Sequence, residues 1–169
     1  MDFSRLNPGR VLVGAVASGL LILSILLLPW YSVAEIQQRI EGSPQYNTDA
    51  FICGAGEFSC TGFETFPILR WLLLAAALAP AILAYVLIRG HKLSWAPGEL
   101  TMVVGFTAFV LIAYNGIIDR PGSETAEIGI GLDYGYFIAL LAALVIAATG
   151  FTRSLESGGK QRRKAPGTV

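Results

Sequence analysis

Four runs of apolar residues, Val11–Val33, Phe66–Ile88, Leu100–Ile118 and Tyr134–Thr152, leave this chain few ways to fold. Each is 19 to 23 residues long, and ~20 helical residues cross a hydrocarbon layer of about 30 Å. Such a layer offers no water to backbone N–H and C=O groups, so a crossing segment must pair its own, as a helix does. The runs therefore predict four transmembrane helices. Composition agrees, with 54% hydrophobic and 14% charged residues, whereas soluble domains carry about 25% charged residues. The segments between the runs are short and rich in Gly, Pro and charge, which leaves nothing to build an aqueous core.

The expected fold is an all-α membrane protein: a four-transmembrane-helix bundle over residues 1–152, followed by a disordered basic tail over 153–169. Outer loops are expected at 34–65 and 119–133, and an inner loop at 89–99. The first run also has features of a signal peptide, a basic start and a small-residue stretch at Ser32–Ala34. Its length exceeds the ~7 to 15 residues of a signal core, and Trp30 and Tyr31 read as interfacial anchors. The run is taken as a retained helix.

Charge orients the bundle. With the N-terminus inside, the inner segments hold nine of the 12 Lys and Arg residues and three of the 12 Asp and Glu residues. The outer segments hold Arg39, Arg70 and Arg120 with the other nine carboxylates. Loops rich in Lys and Arg stay on the cytoplasmic side, so both termini are expected there, in a multi-pass plasma-membrane protein. The tail carries Lys160, Arg162, Arg163 and Lys164 and reads as a lipid-facing cluster that fixes topology. No aromatic residues interleave it, so nucleic acid is not an expected partner.

Both cysteines, Cys53 and Cys60, fall in the first outer loop, "FICGAGEFSCTGFETF". An oxidising compartment favours a disulfide there, closing a short ring whose stabilisation is about 2 to 3 kcal/mol. Gly54, Gly56 and Gly62 would supply turns, and Phe51, Phe58, Phe63 and Phe66 would pack around the bridge. Quinone-coupled thiol oxidases also have four helices, but they use a C-x-x-C pair and a second pair in the other outer loop. Here the spacing is C-x6-C and the second loop has no cysteine. Two thiolates with the lone His91 on the opposite side do not make a zinc set, so no metal is expected.

Two likenesses emerge from these residues. Trp30 ending the first helix, the cysteine pair and Arg70 early in the second helix resemble the layout of claudin-type tetraspan proteins, without their Gly-Leu-Trp element. The stretches "LPWYS" at 28–32, "FETFPILRWLLLAAALA" at 63–79, "YNGIIDRPG" at 114–122 and "YGYFIALLAALVIAATGF" at 134–151 resemble four-helix integral membrane proteins of actinobacteria. That resemblance implies a bacterial plasma-membrane bundle and no particular substrate.

An ionisable residue at membrane depth is the default functional candidate. Arg70 lies about one turn inside the outer end of the second helix, level with Asn115 and Asp119 of the third if the helices are antiparallel neighbours. An interfacial cluster of Arg70, Tyr114, Asn115 and Asp119 is one expectation, and snorkelling of Arg70 into headgroups is the other. Glu99 fits the first turn of the third helix, facing the positive end of its dipole. Gly14 with Ser18 and Ala15 with Gly19 are small-xxx-small pairs, and the second helix is rich in alanine, so close helix packing is expected, either within the bundle or against a further copy or a partner's helix. Pro80 interrupts the second helix's hydrogen bonding.

No nucleophile with a base, no glycine loop for phosphates and no pair of deep carboxylates is present in the sequence. The chain is not expected to be an enzyme or to hold a cofactor. The leading expectation is an accessory or scaffold protein engaging another envelope protein or its own copies. A transporter or channel subunit is the alternative, and a membrane thiol oxidoreductase the third.

Overall fold

Proline 29 ends the first helix early. A proline has no N–H and pushes the preceding residue out of helical geometry. In the computed structural model, which describes residues 8–33, 53, 59–89, 96–119 and 130–162, helix α1 runs Pro8–Leu27 and strand β1 follows at Pro29–Val33. The expected helix to Val33 is therefore corrected to one that stops at Leu27. Trp30 and Tyr31, expected as interfacial anchors, are instead fully buried on this strand.

Strand β2, Ser59–Thr61, leads into a single helical turn, α2, Gly62–Thr65. The turn is fixed by a capping box: Thr61 Oγ1 accepts from the Glu64 N–H at 3.3 Å, and Glu64 accepts from the Thr61 N–H at 2.9 Å. Helix α3 spans Leu69–Ile88 and includes Pro80. Helix α4, Pro97–Ala113, starts with proline in its first turn and Glu99 beside it, as expected, and continues into a π-helical turn, Tyr114–Ile118. After β3, Ile130–Leu132, helix α5 occupies Tyr134–Arg162. Its end lies ten residues beyond Thr152. Hydropathy marks where an apolar run stops, and polar residues such as Arg153 and Ser154 remain compatible with a helix.

The three short strands form an antiparallel sheet in the order β2-β1-β3. Tyr31 faces Cys60 on one side and Leu132 on the other, and the register slips between Pro29 and Tyr31. The expected all-α fold thus gains a small sheet at one end, called here the sheet end. The long helices touch in a ring, α1 to α5, α5 to α4, α4 to α3 and α3 to α1.

Alanines recur at the helix contacts, and many large apolar side chains point outward. Ala17, Ala77, Ala108, Ala139, Ala143 and Ala147 are among the buried core, while Leu12, Leu27, Trp71, Ile82, Phe106 and Leu141 are exposed. Small side chains inside let helices approach, and large apolar ones outside suit hydrocarbon. Three helices are long and apolar enough to cross a membrane, with stretches at Leu69–Val86, Gly98–Ile118 and Tyr134–Leu155. The apolar stretch of α1, Val11–Leu27, is shorter. These features suggest a multi-pass membrane protein.

The closest helix approach falls on glycines of α4 and α5. A Cβ added to Gly98 would lie 2.6 Å from the Ser154 backbone nitrogen, and one on Gly105 or Gly150 would collide with the backbone of Ala147 or Met102. Thus α4 and α5 meet backbone to backbone. On α1, a Cβ on Gly19 would meet nothing within 4 Å. Gly105→Ala should therefore lower the stability of the protein in detergent by about 1 to 3 kcal/mol through overpacking. Gly19→Ala should leave it unchanged or raise it by about 0.5 to 1 kcal/mol through reduced backbone freedom. Reversible denaturant unfolding of both variants measures the contrast.

Candidate functional site

The sheet end gathers the buried aromatic side chains Trp30, Tyr31 and Tyr136, with Ser24 among them. Ser24, one turn before the end of α1, donates through Oγ to the Gly135 carbonyl at 2.6 Å. The Trp30 indole N–H donates back to Ser24, 3.0 Å from both its carbonyl oxygen and its Oγ. An indole buried in an apolar cluster requires an acceptor, and this one is supplied from the helix that precedes it. Around the indole stand Tyr136 and Phe66, both edge-on, at 6.0 and 6.3 Å between centroids. Gly62 lies against its face, where a Cβ would sit 2.7 Å from the ring. Gly62 was expected to shape a turn, and its observed role is to leave room for Trp30.

Cys53 and Cys60 are joined in a disulfide with Cα atoms 5.1 Å apart, as the outer-loop reading expected. Both are over nine-tenths buried, in one cluster with Trp30, Tyr31 and Leu69, with Phe63 and Phe66 packed against it. Phe51, Gly54, Gly56 and Phe58 lie outside the described residues. A reductant reaching either sulfur must first displace that packing.

The π turn brings two further hydroxyls to the sheet. The carbonyls at a helix end lack intrahelical donors and take them from elsewhere. Tyr136 donates to the Ile112 carbonyl at 3.3 Å, and Tyr31 to the Asn115 carbonyl at 3.2 Å. Gly116 makes room, since a Cβ there would strike the Tyr136 ring. The Asn115 side chain turns back to the Leu111 carbonyl at 2.8 Å, while Tyr114 and Asp119 are exposed.

Arg70 takes a different partner from those expected. Its Nη1 donates to the Phe63 carbonyl at 3.2 Å, and its guanidinium carbon lies 4.5 Å from the Phe63 ring centroid and 5.5 Å from that of Trp71. The residue four after Phe63 is Pro67, which has no N–H to complete a helical turn. Arg70 supplies the donor that Pro67 cannot. Among the described residues no ion pair joins Arg70 to Asp119, and no hydrogen bond joins it to Tyr114 or Asn115. Of the basic tail, Lys160 and Arg162 fall on the backbone of α5, and Arg163 and Lys164 lie outside the described residues.

Sequence reasoning missed the Ser24–Trp30–Gly135 node, the π turn and the pairing of Arg70 with Phe63. The last left a signal, a proline four residues after Phe63 with an arginine three residues further on. No three His, Cys, Asp or Glu side chains cluster as a metal site among the described residues. The chain matches no protein-family model, no curated protein and no solved structure. The arrangement combines a closed sulfur bridge, hydrogen-bonded hydroxyls and a guanidinium held on two aromatic rings, with its Nε buried and without a hydrogen-bond partner.

Two measurements test it. Trp30→Phe keeps an aromatic ring but loses the indole donor, which should cost about 1 to 2 kcal/mol of stability; no loss would show the node to be dispensable. In double-mutant cycles, Arg70→Met with Phe63→Leu should show a coupling of about 0.5 to 1 kcal/mol. Arg70→Met with Asp119→Ala should be additive.

Proposed function

We propose that this chain is an integral plasma-membrane accessory or scaffold protein, whose sheet end engages another envelope protein on the outer side. In this reading α1 also spans, giving four transmembrane helices with both termini in the cytoplasm. The Lys and Arg excess of the segments opposite the sheet supports that orientation.

The observation that carries the proposal is the disulfide-linked sheet anchored on Trp30. Segments 34–52 and 120–129 depart from and return to this frame. Whatever they present to a partner is held at both ends by ordered strands or helix, which lowers the entropy lost on binding. Together the two segments carry Glu35, Glu41, Asp49, Glu124 and Glu127 against Arg39 and Arg120. A partner with a basic surface fits that charge.

Orientation and engagement are tested separately. A reporter fused after Gly158 should behave as cytoplasmic and one inserted near Gly122 as external; reversal of both refutes the orientation. For engagement, a partner cross-linked in native membranes to residues of 34–52 should be identified by mass spectrometry. Its yield should fall at least several-fold when Cys53→Ser and Cys60→Ser are combined, with the variant still inserted. An unchanged yield would sink the reading, because the pre-ordered frame would then be irrelevant to binding.

A further inference from the structure

The small residues of α1 leave a space instead of closing one. A Cβ on Gly14 would approach only Thr149 Oγ1, at 3.9 Å, and one on Gly19 nothing at all within 4 Å. The result is a cleft of about 270 Å³ between α1 and α3, in the half of the molecule away from the sheet. Thr101 of α4 and Thr149 of α5 form its floor, and Arg153 lines its far end.

Ser18 marks this cleft as more than a packing gap. The residue is 7% exposed, lines the cleft, and its Oγ has no hydrogen-bond partner. A buried hydroxyl left unpaired is unfavourable, and alanine would fill the same position without that penalty. Apart from Ser18, Thr101, Thr149 and Arg153 the walls are apolar, and among the described residues no Asp or Glu lines them. The Thr149 hydroxyl donates to the Ile146 carbonyl at 2.8 Å and Thr101 has a contact of its own, so the donors left for a ligand are the Ser18 hydroxyl and the Arg153 guanidinium, a pair complementary to a negatively charged amphiphile. Gly14 lies level with Thr149; Ser18 is four residues beyond it toward the sheet and Arg153 four residues beyond Thr149 in the other direction. The two polar groups are thus separated along the helix axes by about 12 Å between backbones, a span that the long arginine side chain shortens.

We propose that the cleft binds an anionic phospholipid of the leaflet on that side, its phosphate at Arg153, its ester carbonyl accepting from Ser18, and an acyl chain between α1 and α3. Arg153 has a contact of its own within the protein, and a guanidinium with five N–H donors serves more than one acceptor. Gly19 and Ala81, both exposed on the cleft wall, give the chain a smooth path. The inference rests on the membrane reading above, though not on any protein partner.

Full-length protein is reconstituted into phosphatidylcholine vesicles containing phosphatidylglycerol, and the lipid retained after mild detergent extraction is counted by native mass spectrometry. The wild type should keep phosphatidylglycerol in preference to phosphatidylcholine. Arg153→Gln should weaken retention about tenfold and Ser18→Ala about threefold to fivefold, in line with a charge-assisted and a neutral hydrogen bond. Arg89→Gln serves as control, since Arg89 stacks on Tyr85 at the end of α3 and does not line the cleft. Ser18→Ala should fold with unchanged or higher thermal stability, which separates lost binding from lost structure. Equal retention of both lipids, an equal effect of Arg89→Gln, or full retention by Ser18→Ala would each overturn the proposal. Displacement of the lipid by inorganic phosphate alone would make this a free-anion site and overturn the lipid assignment. A chain that fails to insert into vesicles would refute the membrane reading itself, an outcome distinct from insertion without lipid preference.

Discussion

Ser24 Oγ holds three parts of the chain together. Its bond to the Gly135 carbonyl ties α1 to the first turn of α5, and its acceptance from the Trp30 indole ties both to β1. The site is fully buried, so each bond is stronger than it would be in water and each unmade bond costlier. Trp30 cannot rotate away without stranding its N–H, and β1 therefore cannot slide along the helices. The sheet, the disulfide and the Tyr31 and Tyr136 contacts to the π turn all take their position from this strand. A one-residue register error would exchange the faces on which Trp30 and Tyr31 lie and undo the packing of both.

Hydropathy made the long helices legible because each needs a sustained apolar run, and their approximate spans follow from that alone. Its failures have a common physical cause. Beta strands of three to five residues are too short to show alternation, and Pro29–Val33 is apolar on both faces, so it reads as more helix. The end of α5 was misplaced because lipid solubility and helix formation are different properties. The disulfide was legible from position in the chain and compartment. Arg70 was singled out correctly as unusual, but its partner was sought across the bundle when a proline had already created a vacant carbonyl nearby.

Glycine and alanine were legible as helix-contact residues without revealing which contacts they make. On α4 and α5, Gly98, Gly105 and Gly150 allow backbones to touch, and the spacing of seven between the first two places them on one helix face. On α1, residues of the same size face a neighbour that stays away. The opposing surfaces differ at single positions: α5 offers Ala143, Ala147 and Gly150 along one stripe, whereas α3 sets Leu78 and Pro80 among Ala77, Ala81 and Ala84 on the cleft wall. A small residue permits close approach; only the opposing helix decides whether it occurs.

The central position of β1 also bears on the order in which the protein assembles. One edge of this strand is covered by β2, which follows it with only the first connecting segment between them, while the other is covered by β3, just before the last helix. During synthesis from the N-terminus, β1 must wait with one row of backbone groups unpaired until β3 emerges. An edge in that state is a template for pairing with another chain. The early partner and the disulfide shield one side, and Trp30, already bonded within its own α1–β1 hairpin, fixes the strand in place. Completion of the sheet and docking of α5 through Gly135 then become a single event, so the last helix acts as the latch of the first.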